Sequence, residues 1–385
     1  MFFFDRAFRA FFLGGSLFAV SAMAIWWLVY PDSSHLFSGV QPIYWHAHEM
    51  VFGYALATVT GFLLTAAMNW SGMHSASGVK LAVLFFFWVA ARLGYWVNLP
   101  IFWVAVLDMA FSVGLFLHFF WPVYRQKLWA QTGLAAKFLL LVLANGWFYA
   151  GATGWLAHGQ LTGVLLGLFL VLAINLTMMR RLMPFFTEKA LGLTPFRQSK
   201  RLDILALAGF LALMVCAVFW PDHWVTSVIA FPLVLVHGIR LSRWYHPDIW
   251  RQVLLWPMFV SYGFMILGML AYGLVGLKWL EATIAIHALA AGGIGLLCAS
   301  IMARISLGHT QRNVFDPPKA VAWVFGILVV TAIVRVGFPV LMPANYIFWM
   351  HLSQLGWGVA FLVLAVTYWP ILTRPSPPRD AGIRL

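Results

Sequence analysis

Charged residues are scarce here: Asp, Glu, Lys and Arg make up 9% of the 385 residues, against about 25% in a soluble domain. Acids are the rarest, 11 against 24 Lys and Arg. So little charge cannot solvate the surface of a soluble protein this long, and that class is excluded before any window is scanned. Only two cysteines occur, Cys216 and Cys298, both inside apolar runs. A disulfide framework and a CxxC metal knuckle are therefore excluded, and packing thiols remain. Period-two alternation is missing as well, which argues for helices and against barrel strands. There is no short leader with a small-residue cleavage site, so the first apolar run reads as the first span.

What fills the chain is hydrophobic: 63% of residues, with a mean hydropathy of +0.88. Runs of about 20 apolar residues cover a hydrocarbon core of about 30 Å. Twelve such runs are predicted, at 11–30, 46–69, 80–97, 101–124, 136–156, 161–179, 202–219, 225–241, 253–275, 280–303, 320–337 and 346–369. The fold class is all-α: a polytopic membrane protein of about twelve transmembrane helices. Residues 1–385 form a single helical domain with a short disordered tail from about 374, and no internal repeat stands out.

The net charge of +13 is a matter of orientation, and nucleic-acid binding is not implied. With the N-terminus in the cytoplasm, 21 of the 24 Lys and Arg fall in cytoplasmic segments, as the positive-inside rule demands. Both termini are then cytoplasmic. The longest loop, 180–201, carries six of these charges with Pro184 and Pro195, and is expected to lie as a basic connector against anionic lipid.

Topology gives each histidine a depth. His46 and His48 stand at the periplasmic mouth of the second span. His287 lies about two turns below the outer end of the tenth span, and His351 about one turn below that of the twelfth. Arg92 and Arg335 occupy the same layer, outside the cytoplasmic tally. Ionisable groups at such depth are costly and point to function, whereas a lone interfacial histidine does not. Imidazoles on separate helices can supply axial ligands to haem iron, or several can hold copper, so His46, His48, His287 and His351 are the metal candidates. His287 is expected as an axial ligand, opposed by a histidine of the second or twelfth span. Arg92 and Arg335 suit the propionates through charge-assisted bonds, since no acid in the apolar spans is an obvious partner; Asp32, Asp222 and Glu281 in outer loops are alternatives.

Helical spacing refines these roles. His46 and His48 are about 200° apart and point to opposite faces, while His46, Glu49 and Gly53 share one. Glu49 is therefore expected to accept a hydrogen bond from His46, or else to be a helix-start acid favoured by the macrodipole. Asp108, at mid-depth in the fourth span, is the most expensive carboxylate, and with Glu49 it is a candidate proton relay. Beside His287, Ala288, Ala291, Gly292, Gly295 and Ala299 form a small-residue stripe, open to two readings: close helix packing, or a bed for a flat macrocycle. His237 is a weaker candidate, read with Arg240 as a basic helix-end cap, and so is His309, placed in a cytoplasmic turn.

Several stretches resemble the NnrS family of membrane proteins. They are His46-Ala47-His48-Glu49-Met50-Val51-Phe52-Gly53, Gly61-Phe62-Leu63-Leu64-Thr65-Ala66, Asn69-Trp70-Ser71-Gly72, Arg181-Leu182-Met183-Pro184-Phe185-Phe186-Thr187, His287-Ala288-Leu289 and Arg304-Ile305-Ser306-Leu307-Gly308-His309-Thr310. The resemblance implies a multi-pass protein of the bacterial inner membrane that carries haem (haem b) and copper. It also implies a link to denitrification and tolerance of nitric oxide. Membrane lipid and nitric oxide, or a related small molecule, are then the expected partners, with the redox partner left open. Two functional classes follow: a haem protein that binds or relieves nitric oxide stress, and a transporter or cofactor-handling protein with a histidine-lined copper or ion pathway.

Overall fold

The computed structural model describes residues 2–30, 37–74 and 76–378. Asp32, His35, Arg379 and Arg384, and the end of the proline-rich tail, lie outside the described residues. No strand occurs among the described residues, and twelve helices are long and apolar enough to cross a membrane. They are α1 (Ala7–Val29), α2 (Pro42–Ser71), α3 (Val79–Trp96), α4 (Ile101–Arg125), α5 (Trp129–Ala152), α6 (Gly159–Leu191), α7 (Lys200–Phe219), α8 (Trp224–Ser242), α9 (Trp256–Gly276), α10 (Ala282–His309), α11 (Ala320–Leu341) and α12 (Pro343–Thr373). A helix satisfies its own backbone groups in lipid, and continuously apolar runs have no other stable choice there.

Two boundaries differ from the sequence reading. Helix α2 begins at Pro42, where the missing N–H belongs to an orphan position anyway, so His46 and His48 sit inside the helix and not at its mouth. Helix α6 passes Pro184 and runs to Leu191, so the expected connector 180–201 is helical over its first half. Met183 and Phe186 are buried, and the Arg304 guanidinium lies 4.0 Å over the Phe186 ring. Packing holds this segment helical past the proline.

Two stretches are wound as π-helix: Glu49–Ala55 in α2 and Ala288–Gly295 in α10. Each begins immediately after a histidine, His48 in one case and His287 in the other. Such turns are rare and concentrate at functional sites.

The described residues group into two compact units. Among the described residues, the first comprises those within 2–171, 305–312 and 365–378; the second comprises 172–304 and 313–364. Small residues set the helix spacing inside each. In the first, Gly61 of α2 lies against Phe12 of α1, and Gly163 of α6 lies on the backbone of α5 at Phe148. In the second, Gly268 of α9 faces Leu289 of α10, and Gly356 of α12 faces Thr331 of α11. Without a hydrophobic drive between helices in lipid, such close approach is what helix association depends on.

Candidate functional site

In the first unit, α2, α3, α4 and α5 converge on a cluster of His48, Glu49, Arg92, Asp108 and Asn145. None of these is more than 2% exposed. Glu49 Oε1 accepts from His48 Nδ1 at 2.9 Å, and Glu49 Oε2 pairs with Arg92 Nε at 2.7 Å. Arg92 Nη2 reaches Asp108 Oδ1. Asp108 Oδ2 accepts from Asn145 Nδ2 at 2.8 Å and from the Tyr149 hydroxyl at 3.1 Å. Tyr95 in turn donates to the Tyr149 hydroxyl at 3.1 Å.

Local backbone geometry makes the first of these contacts. Neighbouring residues on an α-helix diverge by about 100° and do not face each other. The turn that widens after His48 brings His48 and Glu49 into one bond. It also changes which carbonyls the helix itself satisfies, and α3 supplies donors there: Trp88 Nε1 to Gly53 O at 3.0 Å and Arg92 Nη1 to Phe52 O at 3.5 Å. Gly53 leaves room for the Phe18 ring, which a Cβ there would meet at 2.5 Å, while the Arg92 stem passes at ordinary contact distance.

The partners dictate the charge. Asn145 spends its amide N–H groups on Asp108 and Ser112, so its oxygen faces His48 Nε2 at 2.9 Å. His48 thus faces an oxygen at each ring nitrogen, Glu49 Oε1 on Nδ1 and Asn145 Oδ1 on Nε2. Two basic side chains, His48 and Arg92, stand against two carboxylates, Glu49 and Asp108, so the buried cluster can balance its charge internally. An unbalanced charge at this depth would cost several kcal/mol, roughly, per ion.

Three sequence expectations change here. Glu49 bonds His48 and not His46, whose ring instead stacks on Trp26 at 4.5 Å and 7°. Both ring nitrogens of His48 are engaged by protein side chains, Glu49 on one side and Asn145 on the other. Arg92 is no propionate anchor: its guanidinium is spent on Glu49, Asp108 and Phe52 O. Asp108 is its partner, although Arg92 stands near the end of its span and Asp108 at mid-depth in the next. They lie about 6 and 10 Å from the linked ends of α3 and α4, a difference that a long arginine spans.

In the second unit, His287 Nδ1 donates to Thr283 O at 2.7 Å, and His351 Nδ1 donates to Gln354 Oε1 at 2.9 Å. Each bond selects the tautomer whose lone pair is on Nε2, as metal-binding histidines require. Arg335 lies over the Tyr346 ring at 5.6 Å and donates from Nη2 to the Tyr346 hydroxyl at 3.3 Å. Val336, next to it, shares an apolar cluster with Ile284 and Ala288, which flank His287 in α10. The elements carrying His287, Arg335 and His351 therefore pack together within this unit. Two buried donor atoms here, Arg335 Nη1 and Gln354 Nε2, meet no protein acceptor.

Those orphaned donors decide how well the expected cofactors fit. A haem presents iron to imidazole Nε2 atoms and carboxylates to cationic or amide donors, and His287, His351, Arg335 and Gln354 match that donor set. The small-residue stripe does not serve as its bed. Gly292 faces Phe264 and Gly295 faces Trp357, so helix packing covers it. For copper the fit is poor: among the described residues, no three His, Cys, Asp or Glu side chains gather to hold an ion.

The weaker candidates have structural duties. His237 is no helix cap: its Nδ1 accepts from the Tyr262 hydroxyl at 2.6 Å and its Nε2 donates to Ala206 O at 3.2 Å. Arg240 pairs with Asp203 at 3.2 Å. His309 ends α10 and packs on Phe8 at 5.6 Å, so it is not in a turn. Asn145, Tyr149, Tyr95 and Gln354 escaped the sequence reading. A buried amide midway along an apolar run was the one signal available, and Asn145 carries it.

A family model described as NnrS protein matches residues 2–376, a range that takes in every one of the twelve helices. No curated protein matches the chain. Membrane-length helices throughout and a match over nearly the whole length lead to one conclusion: this multi-pass membrane protein belongs to the NnrS family.

Proposed function

We propose that the protein is a haem-containing inner-membrane protein that responds to or relieves nitric oxide stress. The observation that carries this reading is the tautomer that His287 and His351 share, together with buried donor atoms on Arg335 and Gln354 of the same unit that meet no protein acceptor. His287 and His351 would hold the iron of a b-type haem, and Arg335 would bind a propionate. The bound haem would supply a redox-active iron able to take up nitric oxide or a related small molecule. Thr283 and Gln354 orient the two imidazoles and keep them in the ligating tautomer. Copper, for which the described residues assemble no ligand set, is not part of this proposal. In this reading both termini face the cytoplasm and the histidine layer faces the periplasm, in keeping with the distribution of Lys and Arg.

A second reading, a transporter or cofactor-handling protein, draws on the first unit. Glu49 and Asp108 flank His48 in a fully buried carboxylate–imidazole–carboxylate series, the arrangement of a proton relay. Absorption and nitric oxide titration of the purified protein separate the two. A Soret band that shifts with nitric oxide supports the first, and a functional protein devoid of porphyrin refutes it.

A further inference from the structure

A half-open cavity of about 610 Å³ lies in the first unit, well away from the buried ion cluster. Its wall includes His74, just beyond α2, Lys80 in the first turn of α3, and Leu117, His118 and Trp121 near the end of α4. One ammonium and two imidazoles line it, and no carboxylate does. Lys80 is exposed, and Leu117 and Trp121 are about half exposed on the membrane-facing surface of α4. Arg125 stands at the rim, 5.3 Å from the Trp121 ring. This is the end of α3 and α4 where Lys80, Arg125 and Lys127 gather, the cytoplasmic end by the distribution of Lys and Arg.

We infer that this cavity binds the headgroup of an anionic phospholipid. A phosphate there meets the Lys80 ammonium and imidazole N–H donors with no competing carboxylate. The volume is in the range of small-molecule sites, about 300–1,000 Å³. A free phosphate would use only the polar half of the wall. The exposed Leu117 and Trp121 side chains beside it match the glycerol and acyl portion of a lipid, and Trp is at home at headgroup level. Basic pockets between transmembrane helices on the cytoplasmic side bind anionic headgroups in this way.

The test uses the full chain, purified in detergent and stripped of lipid. It is then offered equal amounts of phosphatidylglycerol and phosphatidylcholine and read by native mass spectrometry. Wild type should retain phosphatidylglycerol preferentially, and Lys80→Glu should reduce that preference by roughly fivefold or more, as expected for one basic residue at a lipid surface. Lys127→Glu, at the same end but outside the cavity, should leave it unchanged. No preference in wild type, or equal loss in both variants, overturns the assignment. A thermal arm guards against a folding defect: phosphatidylglycerol should raise the Tm of wild type and of Lys127→Glu more than that of Lys80→Gln. Glycerol phosphate, the same headgroup chemistry without acyl chains, should raise none of them. Equal protection by glycerol phosphate would mean that the cavity takes a free phosphate and would overturn the lipid.

Discussion

Glu49 holds the imidazole of His48, its immediate neighbour in the chain, through a 2.9 Å bond that a regular α-helix forbids. The widened turn that begins at Glu49 makes this bond, and the same carboxylate then reaches Arg92 on α3. One local irregularity in α2 therefore seeds a charge cluster shared by four helices. Helix α10 has the same device, a π-helical stretch directly after His287, but there the imidazole is tied back to its own helix through Thr283.

Glu49→Gln keeps the shape and removes the charge, leaving His48 and Arg92 with one carboxylate between them. Stability in detergent should fall by about 3–5 kcal/mol, the usual cost of breaking a buried ion group from one side. Any haem spectrum should persist, since the imidazoles proposed to hold the iron are His287 and His351. Lost haem with unchanged stability would return Glu49 to the metal site.

Removing Arg92 and Asp108 together is a sharper probe. Arg92→Leu or Asp108→Leu alone strands an opposite charge, while the double variant leaves the balanced pair His48 and Glu49. The double change should cost less than the sum of the single ones, with a coupling of about 1–3 kcal/mol in a double-mutant cycle. Additivity would mean the ion pair is not formed in the membrane.

His287→Ala should abolish the native Soret band while the protein still folds and inserts. The assignment fails if that variant keeps full haem occupancy.

Arg335→Leu should loosen haem, measured as its rate of loss to a scavenger, more than Arg125→Leu does. Arg335→Lys should rescue only partly, because an ammonium lacks the planar fork of guanidinium. Arg92→Leu should act on stability instead, which separates the two arginines that the sequence had grouped.

Gln354→Leu removes the acceptor of His351 Nδ1–H without touching Nε2. Haem affinity should fall by about 10–100-fold, with an altered spectrum in what remains bound. An unchanged spectrum and affinity would leave His351 without a ligand role.

Sequence alone was enough for the membrane class, the helical fold and the number of spans. Each rests on the free energy of moving local stretches of chain into hydrocarbon, a property of composition along a window. It also singled out His48, Glu49, Arg92, Asp108, His287, Arg335 and His351, because ionisable groups in apolar runs are conspicuous wherever they finally point. Their partners were decided by tertiary structure. An ideal helix with 3.6 residues per turn puts Glu49 under His46; the wider turn moves it to His48, and nothing in the letters of α2 announces that turn. Arg92 and Arg335 look alike in sequence, at matching ends of apolar runs. One is spent on two carboxylates brought in by α2 and α4, while the other keeps a buried donor unspent. Charge pairing inside a membrane depends on which helix faces share a depth and an azimuth, and only packing assigns both.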